Sequence, residues 1–437
     1  MAWVYLVLEK KGLAKPTIDR IRNLYDDSRS IVMVNNIQGR VIQNLRGSLR
    51  QGDLPSMYWF GIGIDPLLGY LEKRLSGIPI ISLPISGPAP EEAVGDTMEP
   101  VKQEFKVVAY ADDVKPAITS MQEFHLVDRA CSILERASGV KLHRNPDSGK
   151  VKFLPLGRWR GVLTQEDLPY QYVRLSEHLD FLGVELRATF SSTRRANGEI
   201  IQDRVKNKIG SWKAGRFMPL SQRAFSANCF ALSKVWFKCS TINLRVQDST
   251  CITSQVKSWL YQDLLLKPSE LVLYRNTEVG GLGLMNVKIR ALALLVRSFL
   301  ETAVNPKFRH SLFHQVLYRY HVLGETSLPD PGHTPYYDRE FFDLIKHYMN
   351  NCPLDITTMS VKQWYKVLLE DKVTMSAADA NQPASLIPIS VETLYPNSDW
   401  NTIWSMVRMK GLGSDLISFQ LKLVHRLLPT RQKVARL

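Results

Sequence analysis

Hydrophobic and polar positions along the first 190 residues follow two different periods. In some stretches apolar residues recur every three or four positions, which predicts amphipathic helices. In others they form short unbroken runs between turn-forming residues, which predicts strands. The predicted helices cover residues 15–25, 56–76 and 121–138, a further helix begins at the N-terminus, and the predicted strands lie at 30–35, 37–45, 105–110, 151–154 and 178–186.

Beyond Leu186 the spacing is mostly helical as far as Tyr320. Two weakly patterned stretches interrupt the chain, a proline-rich connection at 77–104 and a second one at 375–396. The sequence therefore predicts an α+β fold in five parts. These are a mixed region at 1–186, a helical region at 187–300, a helical connection at 301–374, a linker at 375–396 and a C-terminal helical segment at 397–437.

Composition indicates a folded, basic protein. Of 437 residues, 45% are hydrophobic and 22% charged, which excludes wholesale disorder. An excess of 56 Lys and Arg over 42 Asp and Glu favours a polyanionic partner, nucleic acid before an anionic membrane.

Five cysteines without a C-x-x-C pair argue against a zinc ribbon or a disulfide framework. The apolar run that begins at Ala291 is interrupted by Arg297, so no membrane association is expected. We expect an intracellular protein of the nucleus, the cytoplasm or both, and the sequence leaves its oligomeric state open.

Much of the basic excess falls between Arg187 and Val246, where twelve Lys and Arg accompany only Glu199 and Asp203. A basic helical face is often merely solvated. This concentration, with Trp212 and Trp236 nearby, favours contacts to a nucleic-acid backbone. The residues predicted to make those contacts are Arg204, Lys206, Lys208, Lys213, Arg216 and Arg223.

Two local motifs carry candidate chemistry. The first is a predicted strand that ends in Tyr110-Ala-Asp-Asp113. Its two carboxylates are either solvated acids of a hairpin turn or ligands of a hard cation such as Mg²⁺, whose shell substrate phosphates would complete. The second is the loop that runs from Arg46 into the helix near Ser56, where Gly52 allows close approach to a phosphate or a base.

Together, in this order, these motifs resemble the palm of a reverse transcriptase, and most closely that of non-LTR (LINE-type) retrotransposons. The resemblance covers most of the chain, and it is most specific at 46–56 and 110–113. Downstream, 212–237 is similar to the family's thumb helices, and Gly280-Gly-Leu-Gly283, a predicted turn, is similar to its GGLG segment. It implies a partial palm, an antiparallel sheet with helices, over 1–186, followed by a helical thumb at 187–300.

The resemblance also implies an RNA-directed DNA polymerase that acts on an RNA template and a DNA primer with two Mg²⁺ ions. In this chain Asp112 would be the catalytic, metal-binding carboxylate and Asp113 its less demanding neighbour, while Leu182 and Gly183 would lie in the primer grip. The residues implied on the nucleotide and template side are Arg46, Arg50, Gln51, Gly52, Tyr110 and Lys150.

One departure from the family concerns its third carboxylate, which lies on a first palm strand. Here the chain enters a helix directly and its first acid is Glu9, so we expect a polymerase truncated at both ends and severely impaired on its own. The alternative is a non-catalytic RNA- or DNA-binding remnant of a retroelement. A viral RNA-dependent polymerase fits poorly, because Ala111 stands where those enzymes usually place Gly.

Overall fold

The computed structural model describes most of the chain, which divides into two compact units. Unit 1 is Met1–Leu182 with Leu186–Ala188, and unit 2 is Gly183–Glu185 with Thr189–Leu437. The described ranges are 1–25, 30–35, 37–42, 55–83, 101–141, 143–212, 218–262, 267–268, 270–305, 312–325, 337–378, 397–400, 402–403, 416 and 419–420.

The described part of unit 1 has four α-helices and a set of short strands. The helices are α1 (Ala2–Lys10), α2 (Lys15–Tyr25), α3 (Ser56–Arg74) and α4 (Met121–Ser138). The strands that begin in this part of the chain are β1 (Ser30–Val34), β2 (Ile37–Ile42), β3 (Ile78–Leu83), β4 (Val101–Phe105), β5 (Val107–Tyr110), β6 (Asp113–Pro116), β7 (Val151–Phe153), β8 (Val173–Leu175), β9 (His178–Phe181) and β10 (Val184–Arg187).

The predicted α+β character is confirmed, but the strands do not join into one antiparallel sheet among the described residues. They form five pairs: β1–β2, β3–β4 and β5–β6 are antiparallel, β7–β8 is parallel, and β9 pairs with β10. The strands are short, with three to six residues, and the register of two pairs is irregular, at Ile31/Met33 and at Pro79/Ile81. They therefore offer few backbone N–H and C=O groups for hydrogen bonds to a further strand.

Helix α4 shows why the predicted boundaries hold. Its apolar positions recur at helical spacing, and the helix ends at Ser138 because Gly139 adopts a left-handed conformation with φ 76°. Its buried Ala130 packs in a cluster with Leu67 and Leu71 of α3, Leu75 just after that helix, and Val107 of β5. This small core fixes the position of the β5–β6 hairpin within unit 1.

Unit 2 is helical in its described part, as the spacing beyond Leu186 predicted. Its α-helices are α5 (Phe190–Gly210), α6 (Leu220–Ser226), α7 (Ser233–Cys239), α8 (Val246–Leu260), α9 (Glu270–Tyr274), α10 (Val287–Val304), α11 (Leu312–Leu317), α12 (Arg339–Asn351) and α13 (Val361–Ala378). One π-helical turn, Ala227–Leu232, lies between α6 and α7, and a second, Tyr318–Val322, follows α11.

Helix α10 joins the two cores of unit 2. Val287 and Ala291 pack with α5 to α9, whereas Phe299 packs with α11 to α13. The predicted boundary at residue 300 therefore lies inside a helix. Helix α13 also extends to Ala378, four residues into the predicted linker at 375–396, because Met-Ser-Ala-Ala at 375–378 continues a helix readily. The remainder of that linker and most of 397–437 lie outside the described residues.

Candidate metal and nucleic-acid site

The Asp112 turn is a tight β-hairpin. Tyr110 pairs with Asp113 across it, so Ala111 and Asp112 are its two central residues. Ala111 has φ 51°, a left-handed conformation that glycine adopts more easily than alanine. The turn presents Asp112 at its tip, and the neighbouring Tyr110 side chain is 54% exposed.

The two adjacent carboxylates have different surroundings. Asp112 is exposed and makes no hydrogen bond or ion pair with the described residues. Asp113 is half-buried and accepts a short hydrogen bond from the Lys115 ammonium group. Asp112 is therefore available to a ligand, whereas a ligand of Asp113 must share that carboxylate with Lys115.

Lys115 also connects this hairpin to the predicted primer grip. Its Nζ lies 5.5 Å from the centre of the Phe181 ring, at the end of β9. The next residue, Leu182, is exposed with φ 50°, and Gly183 has φ 77°. Within unit 1 the Asp112 turn and the end of β9 therefore lie close together, which sequence spacing alone did not require.

The hairpin packs beside α3, the helix into which the predicted nucleotide-side loop runs near Ser56. Val107 of β5 contacts the cluster formed by Leu67, Leu71 and Leu75 of α3. The loop that precedes α3 belongs to the same prediction, but Arg46, Arg50, Gln51 and Gly52 lie outside the described residues. Their nucleotide-binding role stays a prediction.

A buried glutamate that the sequence did not single out holds the base of the hairpin. Glu123 is buried, and its two carboxylate oxygens accept hydrogen bonds from the backbone N–H of Ser76 at 2.7 Å and of Thr119 at 2.6 Å. Burial alone would raise the pKa of Glu123, but these donors outweigh it and hold the pKa below its ordinary value. Glu123 thus ties the end of α3 to the segment that leaves β6.

The carboxylates of the turn fit one Mg²⁺ ion only in part. Magnesium in proteins is commonly bound by one or two carboxylates together with substrate phosphates, which matches the adjacent Asp112 and Asp113. Over the described ranges no group of three or more His, Cys, Asp or Glu side chains is arranged to hold a metal ion.

Lys150 lies on the turn before β7 and is exposed. Its Nζ is 3.2 Å from Nε2 of His143, which places the two side chains of this loop together. A template-side role for Lys150 stays a prediction, because none of its contacts in the described structure reaches the Asp112 turn.

The basic surface of unit 2 begins on α5. Arg204 and Lys206 are exposed, and Lys206 lines a groove of about 890 Å³ beside the hydroxyl-bearing face of α8, where Thr250, Ser254 and Ser258 lie. Lysine and hydroxyl groups are common donors to nucleic-acid phosphates. Among the described residues, Lys206 is the one charged residue that lines this groove, beside several apolar side chains, so a backbone-binding role stays a prediction. Lys213 and Arg216 lie outside the described residues.

Arg223 was wrongly assigned to the basic surface. It is 3% exposed, and its guanidinium donates hydrogen bonds to the carbonyl oxygens of Met218 at 2.9 Å and Leu260 at 3.0 Å. Lys238, counted in the same basic region, is also buried and donates to Asn197 Oδ1 at 2.8 Å. Both cations hold helices of unit 2 together, and sequence could not distinguish them from exposed neighbours because their acceptors are distant in the chain.

Comparison with known protein families and with curated proteins found no match for this chain. The resemblance to reverse transcriptases therefore depends on the residues themselves. In the described part of the chain, no helix is both long enough and apolar enough to cross a lipid bilayer.

Proposed function

We propose that this chain is an RNA-directed DNA polymerase of the reverse transcriptase class, with its metal-binding turn at Asp112. One observation carries the proposal: a two-residue turn presents Asp112, exposed and without a partner among the described residues, at the tip of a hairpin packed on α3. The second support is the basic surface on α5, which suits a primer–template backbone.

Each residue of the turn would have a different role in catalysis. Mg²⁺ bound there with nucleotide phosphates would stabilise negative charge on the attacking and leaving oxygens. Asp112 would provide the principal carboxylate ligand. Asp113 would provide a weaker one, because its carboxylate is already paired with the Lys115 ammonium group. Tyr110, exposed beside the turn, offers a ring face to a nucleotide base.

Single-turnover primer extension tests this proposal. A labelled DNA primer on an RNA template is incubated with excess enzyme and Mg²⁺, because the sequence predicts a severely impaired polymerase. We expect incorporation that Asp112→Asn abolishes and Asp113→Asn only reduces. Glu166→Gln, which alters an exposed carboxylate elsewhere in unit 1, is the control and should leave incorporation unchanged. Incorporation that survives Asp112→Asn or the removal of Mg²⁺ would refute the proposed site.

A second candidate function is non-catalytic binding of RNA or DNA. The ion pair between Lys115 and Asp113 favours it, since it lowers the negative charge available to a metal ion. In this case extension is absent. The affinity for primer–template then falls linearly with salt on logarithmic axes and is unaffected by Asp112→Asn. Absence of binding at low salt would exclude both functions.

A further inference from the structure

Three phenylalanines are exposed on one long helical segment of unit 2. Phe225, Phe230 and Phe237 lie on the segment formed by α6, the π-helical turn and α7, and they are 66%, 53% and 60% exposed. Scattered exposed apolar residues are ordinary, but three large rings on one segment form a patch of the kind that marks a binding surface.

The π-helical turn aligns the first two rings. A regular α-helix would place residues 225 and 230 about 140° apart around its axis. The turn at Ala227–Leu232 has hydrogen bonds between residues five apart, which makes residues at that spacing neighbours. Burial agrees, because Ala224, Ala227 and Ala231 are fully buried on the opposite face. Phe237 follows Phe230 by seven residues, two helical turns.

This helical segment is held rigidly from behind. The Asn228 side chain donates to the carbonyl oxygen of Gly283 at 2.8 Å and accepts from the backbone N–H of Met285 at 2.9 Å. The rings therefore stand on a packed helix and need little ordering on binding.

The surroundings of the rings are cationic. Lys234 is exposed between Phe230 and Phe237 on the same segment. Phe230 packs edge-on against Trp212 at 6.2 Å, and Lys208 lies over the Trp212 ring at 5.7 Å. From residue 204 to residue 247 the sequence has nine Lys and Arg, of which Arg223 and Lys238 are buried and Arg245 is paired with Asp248, and no Asp or Glu. This charge suits a polyanion, and it is unfavourable for a basic partner or for a second copy of the same face.

We propose that Phe225, Phe230 and Phe237 form a platform on which the bases of single-stranded nucleic acid stack. Rings that alternate with cations are typical of surfaces that bind single strands, since every base has a π-face and every phosphate a charge. A duplex keeps its base faces stacked inside and offers them only at its ends. The inference rests on the proposed function only in taking nucleic acid as the ligand.

The first test is fluorescence anisotropy with labelled 20-nucleotide oligo(dT), oligo(U) and a DNA duplex. We expect each Phe→Ala change to weaken single-strand binding by roughly 5- to 100-fold, from the usual worth of one stacked base. Phe230→Leu should weaken it almost as much, because leucine keeps the apolar area without the ring, and Phe230→Tyr should retain it. Leu354→Ala, another exposed apolar residue of unit 2, is the control and should have no effect.

The second test locates the ligand. Cys229 is exposed beside Phe230, whereas Cys239 is buried, which raises the pKa of its thiol to about 12. Iodoacetamide should therefore alkylate Cys229 rapidly and Cys239 very slowly. We expect oligo(dT) to slow alkylation of Cys229 at least severalfold, and the duplex to slow it little.

The outcomes separate this inference from the proposed function. If primer extension is absent but oligonucleotide binding is intact and depends on the three phenylalanines, the polymerase proposal is refuted and the platform is supported. Oligonucleotide binding that the three alanine variants change by less than twofold, or that leaves Cys229 unprotected, overturns the platform alone. The platform is equally overturned if Phe230→Leu binds like wild type. It is also overturned if sedimentation shows a dimer whose interface buries the rings. No oligonucleotide binding at low salt overturns both.

Discussion

The close crossing of α5 and α8 makes Gly198 a sensitive position of unit 2. A Cβ atom on Gly198 would lie 2.3 Å from Oδ2 and 2.5 Å from Cγ of Asp248. Asp248 is fully buried, and it accepts hydrogen bonds from Arg245 Nη2 at 2.7 Å, Arg245 Nε at 2.9 Å and Gln202 Nε2 at 2.8 Å. The carboxylate cannot retreat without breaking some of these bonds.

The magnitude follows from two opposing effects of Gly198→Ala. Alanine gains about 1 kcal/mol over glycine inside a helix. Against this, overpacking typically costs about 1–3 kcal/mol, and each weakened hydrogen bond to a charged group costs about 1.5–3 kcal/mol. With one such bond weakened, we expect the free energy of unfolding to fall by about 1.5–5 kcal/mol.

The assay is urea unfolding, with hydrogen-exchange mass spectrometry of peptides from α5 and α8 to locate the loss. Gly210→Ala is the matched control, because it lies in the same helix and a Cβ there meets nothing within 4 Å. It should be neutral or slightly stabilising. In an Asp248→Ala background, Gly198→Ala should cost little, since the clash is gone. A Gly198→Ala protein as stable as wild type, or an equal cost in both backgrounds, would refute the reasoning.

Two further predictions concern charged groups. The folded pKa of Glu123 lies below its unfolded value of about 4.3, so its stabilisation is complete above that pH and is lost as the pH falls through the folded pKa. The difference in thermal unfolding between Glu123→Gln and wild type at pH 7 should therefore narrow as the pH falls below the unfolded value, whereas exposed Glu72→Gln should match wild type throughout. A difference that does not narrow with falling pH would contradict this. Arg204→Met should lower the slope of log affinity for nucleic acid against log salt by about 0.7–0.9 without affecting folding. Arg223→Met, at a buried position, should leave that slope unchanged and reduce the free energy of unfolding by about 1–3 kcal/mol. A changed slope would indicate that Arg223 contacts the nucleic acid.

Local patterns predicted the elements around the candidate site well. The strand predicted at 105–110, the turn after it and the helix at 121–138 were readable because each signal lies within a few residues: an apolar run, two turn-forming acids, a helical period and a terminal glycine. The return strand β6 was not predicted. The packing of β5 on α3 has no such local signal, because Leu71 and Val107 are 36 residues apart.

What the sequence did not predict depends on residues that are distant in the chain. Strand β8 has three residues and is stabilised by its parallel pairing with β7, more than twenty positions earlier. Glu123 has the ordinary pattern of an acid in the first turn of a helix, although it binds Ser76, 47 residues away. The π-helical turn at Ala227–Leu232 breaks the regular period, so the alignment of Phe225 with Phe230 has no signature in a 3.6-residue pattern.

The exposed cations of unit 2 and the three phenylalanine rings should act on a polyanionic ligand in different ways. Arg223 and Lys238 are buried and bonded between helices, so the field outside comes from exposed residues such as Arg204. Such a field acts over about a Debye length and weakens with salt, whereas stacking acts only at contact. Substitutions of Arg204 should thus change the salt slope, and substitutions of Phe230 should change the affinity at every salt concentration while leaving the slope intact.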